Sequence, residues 1–168
     1  MTERQSDRDS PVVVWLIIAA TGAMMVGVGT RAIDLHFIIG PWNMHHWLSW
    51  VGATFIAFFT PVFYVLKRRS RESREAVLPW HVFGGLIAAA AVSAHFIQHV
   101  TRPAEFFPDL GTGIVLYSAL TISVSTGVLI RYRLLPGAMR EWRTLHVGAT
   151  VTFYLAIVMH VLEGLGVA

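Results

Sequence analysis

Five apolar runs of about twenty residues, none of them holding an Asp, Glu, Lys or Arg, alternate along this chain with short polar stretches. They cover about residues Val12–Gly29, Trp47–Leu66, His81–Val100, Gly113–Ile130 and Leu145–Val161. A helix rises about 1.5 Å per residue, so a run of this length crosses roughly 30 Å of hydrocarbon and satisfies its backbone groups within itself. A membrane barrel would need alternating segments of about ten residues instead. The pattern predicts an all-α integral membrane protein with five spans. A four-helix bundle follows one extra N-terminal helix, with residues 1–11 as a polar tail and 12–168 as a single transmembrane domain. Gly40 and Pro41, Pro79, Pro103 and Pro108, and Pro136 and Gly137 supply turn chemistry between the runs.

Composition agrees with that class. Of 168 residues, 55% are hydrophobic and 14% charged, which excludes an ordinary soluble domain. The chain has no cysteine, so disulfides, thiolate metal sites, iron-sulfur clusters and thioether-linked haem are excluded. Any cofactor must be held by His, Met, carboxylate or backbone. A pI near 9.8 does not point to nucleic acid, because the basic residues fall between the apolar runs.

Their distribution is one-sided. Arg4, Arg8, Lys67, Arg68, Arg69, Arg71, Arg74, Arg131, Arg133, Arg140 and Arg143 fall on one side, and only Arg31 and Arg102 on the other. The positive-inside rule then expects a multi-pass protein of the inner (cytoplasmic) membrane with its N-terminus in the cytoplasm and its C-terminus outside. The acidic residues Glu3, Asp7 and Asp9 in the leader argue that the first span is a membrane helix and not a signal peptide.

Inside this apolar frame one spacing occurs twice. His81 and His95 are fourteen positions apart in the third run, and His146 and His160 repeat the interval in the fifth. Fourteen residues of α-helix bring two side chains to within roughly 40° of one face, about 21 Å apart along the axis. Ionisable side chains in hydrocarbon are costly and mark function. Two facing histidine pairs are what two stacked b-type haems require. Depth matching pairs His81 with His146 for an inner haem and His95 with His160 for an outer one. Gly84, Gly85 and Gly148, with Gly52 and Gly127 on the intervening helices, would let a flat macrocycle approach the backbone. Arg131, Arg133, Arg140 and Arg143 are candidate partners for inner propionates, and Arg31 and Arg102 for outer ones.

From Met44 onward the chain resembles the membrane cytochrome b (gamma) subunits of formate dehydrogenases and nickel-iron hydrogenases. The resemblance rests on His45-His46-Trp47, Trp80-His81-Val82-Phe83-Gly84, Thr126-Gly127-Val128-Leu129-Ile130, and the segment from Leu145-His146 to His160-Val161. The two-helix, four-histidine pattern is also similar to the cytochrome b of quinol-cytochrome c reductases. The resemblance implies two haem b groups, a quinone or quinol, and iron-sulfur, molybdenum or cytochrome c partner subunits. It implies a subunit that carries electrons between a quinone pool and such a partner, more than a complete enzyme. The formate dehydrogenase pattern gives one haem a ligand from the first bundle helix, here His46 or His45 opposite His160. The bc-type pattern gives that role to His95.

His36, His45, His46 and His99 are expected at the outer surface, near Trp42, Trp47 and Trp50. They serve either as interfacial polar residues or in proton, propionate or partner contacts, and the loop from Pro103 to Thr112 offers a docking surface. Two other functions fit less of the pattern. A self-contained quinone-linked superoxide or ferric reductase needs no partner. A metal transporter or assembly protein using the outer histidines leaves the inner pair unexplained.

Overall fold

The computed structural model describes residues 11–103, 105 and 111–167. The expected tail lies outside the described residues, apart from its last residue, and so does most of the expected docking loop. Apart from a two-strand hairpin between the first two helices, the regular structure of the described residues is helical: α1 (Pro11–Gly29), α2 (Met44–Arg69), α3 (Arg71–Pro79), a π-helical turn (Trp80–Gly84), α4 (Gly85–Val100), α5 (Gly111–Tyr132), a 3-10 turn (Pro136–Ala138) and α6 (Met139–Gly164). Five helical stretches are long and apolar enough to cross a membrane, with α3, the π turn and α4 forming one of them. All five agree with the expected runs. Their ends reach further, because Lys67–Arg69, Arg131 and Met139–Thr144 continue helices instead of forming loops. Only Ser70 interrupts α2 and α3, and its hydroxyl caps α3 by accepting from the Ser73 N–H at 3.0 Å.

Helix α4 is central and touches α1, α2 and α5, while α6 packs chiefly on α5. Side chains that point away from these contacts are large and apolar, such as Phe58 at 73% exposed and Leu155 at 69%, as lipid-facing surface should be. The interior of the α4–α5–α6 half is a layer of Val92, Leu116, Ala119, Leu120, Phe153 and Ala156. Gly52 brings α2 against α4, where a Cβ would lie 2.6 Å from the Ala88 carbonyl oxygen.

Two prolines shape the site helices. Pro79 precedes the π turn that contains His81, and this wider turn opens the offset between His81 and His95 beyond the roughly 40° of an unbroken helix. Pro61, inside α2, has no N–H for the carbonyl of Ala57 one turn earlier. The Tyr154 hydroxyl of α6 takes that place, lying 3.0 Å from the carbonyls of both Ala57 and Ile56. A bond between α2 and α6 thus replaces one within α2.

Tyr154→Phe should therefore cost about 1–2 kcal/mol, read from unfolding of the detergent-solubilised chain. Pro61→Ala in the same background should recover much of that loss, since alanine supplies the missing N–H. Strict additivity of the two changes would mean that the hydroxyl does not serve the carbonyl that proline frees.

Candidate functional site

The bundle holds two histidine groups, one on each side of the Val92–Phe153 layer. Towards the arginine-rich end, His81 and His146 face each other with ring centroids 6.3 Å apart and planes at 85°. The π turn presents His81, which stacks flat on Phe63 of α2 at 4.1 Å. His146 is fixed from α5: its Nδ1 lies 2.9 Å from the Ser123 carbonyl, and since a carbonyl only accepts, Nδ1 carries the proton. The other ring nitrogen, Nε2, is left as the ligating atom. A cavity of about 440 Å³ surrounds the pair, lined on its apolar walls by Phe55, Phe59, Phe63 and Val124 and at its rim by Lys67, Arg131 and Arg143.

The expected pair His81 and His146 is thus brought together, with Arg143 on the same cavity. Gly127 and Gly85 line it too. Gly84 does not: its open face receives the Phe55 ring, and Gly148 has nothing within 4 Å of a would-be Cβ.

At the other end, His95 meets different company. Its ring neighbours are His99 at 4.4 Å, His46 at 5.3 Å and His45 at 5.6 Å, and His45 and His46 are themselves 4.2 Å apart. One nitrogen from each of His45, His46, His95 and His99 lies within 4.8 Å of the others, a group able to hold a metal ion. His45, His46 and His99 were expected at the outer surface, and His95, with His46 as its alternative, as an outer haem ligand; the structure gathers all four, and His45 is fully buried. A short hairpin explains the difference. Strands β1 (Ile38–Ile39) and β2 (Trp42–Asn43) pair through a turn in which Gly40 takes φ +61°, and they fold the chain back onto α2. The Leu35 carbonyl then accepts from the His45 ring Nδ1 at 3.2 Å, and Trp47 Nε1 donates to the Ile39 carbonyl at 2.8 Å. Buried atoms His45 Nε2, His46 Nδ1 and His95 Nδ1 have no hydrogen-bond partner among the described residues. Each such orphan costs about 1–3 kcal/mol.

His36 edges onto His45 at 5.6 Å, lies 2.8 Å from the Gln98 side-chain nitrogen, and donates its backbone N–H to Asp34. That bond holds the exposed Asp34 carboxyl below the usual carboxylate range. Arg102 lines the adjoining recess with Arg31, His36 and Gln98.

His160 stands opposite on α6. Its Nδ1 lies 3.2 Å from the Thr112 hydroxyl, which donates to the Glu163 carboxylate, so the ring nitrogen is the donor to Thr112. No ring contact like that of His81 and His146 joins His160 to His95 among the described residues.

One feature of α5 was not anticipated from the sequence. Thr126 and Gly127 sit beside the His146 ring, and Thr112 and Gly113, fourteen positions earlier, sit beside the His160 ring. Thr126 Oγ1 is 3.3 Å from His146 Nδ1, and Cβ atoms at Gly127 and Gly113 would lie 3.3 and 3.5 Å from the two imidazole Cε1 atoms. A Thr-Gly pair repeated at the histidine interval was the available signal.

No protein-family model matches the sequence, and comparisons with curated proteins and with solved structures return no match.

The hairpin is what carries the Leu35 carbonyl to His45, and Gly40 permits its turn. Gly40→Val should strain that turn by about 1–2 kcal/mol and speed hydrogen exchange at the Met44 and His45 amides, which pair with Phe37 and Leu35. Unchanged protection at those two amides would show that the turn does not hold the cluster.

Proposed function

We propose that this chain is a dihaem cytochrome b that carries electrons across the membrane, exchanging them with a quinone and with a partner redox subunit. The observation that carries the reading is the duplicated environment on α5 and α6. Each of His146 and His160 has its Nδ1 beside a threonine hydroxyl and its ring edge against a glycine, at one common interval.

His81 and His146 would hold the inner haem. Two imidazoles on opposite sides of one iron, each with a metal–nitrogen distance of about 2 Å, place their ring centres about 6 Å apart. The observed 6.3 Å fits that span, and the surrounding cavity lies within the usual size of a cofactor site. His160 would hold the outer haem opposite His95 or His46. Bound haem supplies reversible one-electron transfer at its iron.

The chain's own residues do the rest. The Ser123 carbonyl fixes the His146 tautomer, and Phe63 clamps His81 flat. Lys67, Arg131 and Arg143 offer cations to propionates where the cavity reaches the arginine-rich end. The Val92–Phe153 layer excludes water between the two centres while keeping them within one bundle.

The purified chain should give a b-type reduced-minus-oxidised spectrum with two haems per polypeptide. His81→Ala and His146→Ala should each lower inner-haem content at least about tenfold. Gly127→Leu, which fills the face opposite His146, should do the same with the histidines intact. Absence of any b-type band, or full haem content after loss of His81 or His146, overturns the reading.

The orientation is tested separately, helped by the lack of native cysteines. Pro103→Cys should react with a membrane-impermeant maleimide in intact cells, and Glu72→Cys only after permeabilisation. The reverse pattern would place the arginine-rich end outside.

A further inference from the structure

Two haems need four axial histidines, and the chain has more than that where the outer one would sit. Of His45, His46, His95 and His99, one at most can face His160 across a macrocycle. The ligating nitrogens of all four lie within 4.8 Å of one another, so any three of them still form a close set. We propose that this set is a second kind of centre: a late first-row transition-metal ion bound by His45 and His99 together with one or both of His46 and His95.

A tetrahedral ion with metal–nitrogen bonds of about 2.1 Å asks its ligand atoms to lie about 3.4 Å apart. The four nitrogens lie within 4.8 Å of one another, so a bound ion would draw them inward by side-chain rotation. His45 is prepared for the role. It is fully buried, its Nδ1–H is spent on the Leu35 carbonyl, and its Nε2 is left buried without a partner. A backbone carbonyl on one ring nitrogen with the other free for metal is the usual outer-shell arrangement of a ligating histidine. His46 and His95 each contribute a further buried, unpartnered Nδ1.

The donor set selects the metal. No thiolate or carboxylate is among the four, and imidazole nitrogens suit zinc, copper, nickel and iron, with copper(II) bound most tightly in that series. Magnesium and calcium, which require oxygen ligands, do not fit. Arg102 and Arg31 line the neighbouring recess and oppose added positive charge. Asp34 answers them through its contacts to His36, whose ring touches His45.

This centre goes beyond the proposed electron carrier and does not depend on it, although the two share His46 and His95. The full chain, purified in detergent, is stripped of loosely held metal by chelator dialysis and titrated with copper(II), then separately with zinc(II) and cobalt(II). Bound metal is counted by mass spectrometry and haem by its pyridine spectrum. We expect one copper or zinc per chain, with copper(II) showing hyperfine splitting from at least three nitrogens and cobalt(II) the intense bands of a low-coordinate site. His45→Ala and His99→Ala should each weaken metal binding at least about tenfold and leave haem content unchanged, while His160→Ala should leave metal binding unchanged.

Two haems per chain with no retained metal and no nitrogen hyperfine structure overturns this inference and leaves the cytochrome reading standing. A retained metal with no haem does the opposite. Equal metal binding in wild type, His45→Ala and His99→Ala also overturns it, and the titration of the wild-type chain decides the matter even where those variants do not fold.

Discussion

In hydrocarbon a polar atom without a partner has no water to turn to, and nearly every polar contact between helices in this chain answers that constraint. Tyr154 serves the carbonyl that Pro61 leaves open. Ser93, buried in α4, bonds the Ala89 carbonyl and meets the Tyr117 hydroxyl at 3.1 Å, and Tyr117 reaches the Met25 sulfur of α1. Ser123 and Thr150 meet across α5 and α6 at 3.2 Å. Against that background of satisfied groups, the buried histidine nitrogens without partners stand out. Gln98 Oε1 and Trp142 Nε1 also lack a partner among the described residues, but only the imidazole nitrogens of His45, His46 and His95 gather in one group with the geometry to hold an ion.

The two histidine groups differ in the room they have. Around His81 and His146 the bundle leaves about 440 Å³ between α2 and the α5–α6 pair, walled by aromatic rings and edged by cations. On the proposed reading this is the room that the macrocycle and its propionates would take. Around His45, His46, His95 and His99 the rings lie 4.2 to 5.8 Å apart, a spacing that suits a bare ion. The difference follows from what each α2 segment meets. Gly52 lets α2 close directly on α4. Further along α2, Phe55, Phe59 and Phe63 hold it off and form the cavity wall.

The sequence made the five apolar helices and the meeting of His81 with His146 readable, because apolar length and residue spacing are properties of composition along one dimension. The outer cluster was not readable, for a physical reason at each residue. His95 was assigned by assuming an unbroken helix from His81, and the π turn at Trp80–Gly84 breaks that assumption with only Pro79 to signal it. His45 and His46 were placed at the surface because they open a helix. Burying them takes a hairpin of two-residue strands whose sole strong marker is Gly40-Pro41. His99 joins them because it follows His95 by one helical turn. The Thr-Gly repeat on α5 was visible as letters, but its meaning depends on α5 lying against α6 in register, which is a packing fact.

That register also makes the two ends electrically unequal. The His146 Nδ1–H is held by a neutral backbone carbonyl, whereas the His160 Nδ1–H points to a threonine hydroxyl whose own proton goes to the Glu163 carboxylate. A hydroxyl polarised by a carboxylate is the stronger acceptor, so it draws more imidazolate character from His160 than Ser123 draws from His146. A more basic axial ligand favours the oxidised form of its metal. On the proposed reading the His160 centre therefore has the lower potential of the two by this contribution. Neighbouring positive charge works the other way, stabilising the reduced form at whichever centre it approaches, and here Lys67, Arg131 and Arg143 gather at the His81–His146 cavity. On that same reading, ligand basicity at one end and rim charge at the other would act in the same sense, favouring transfer from the His160 centre towards the His146 centre.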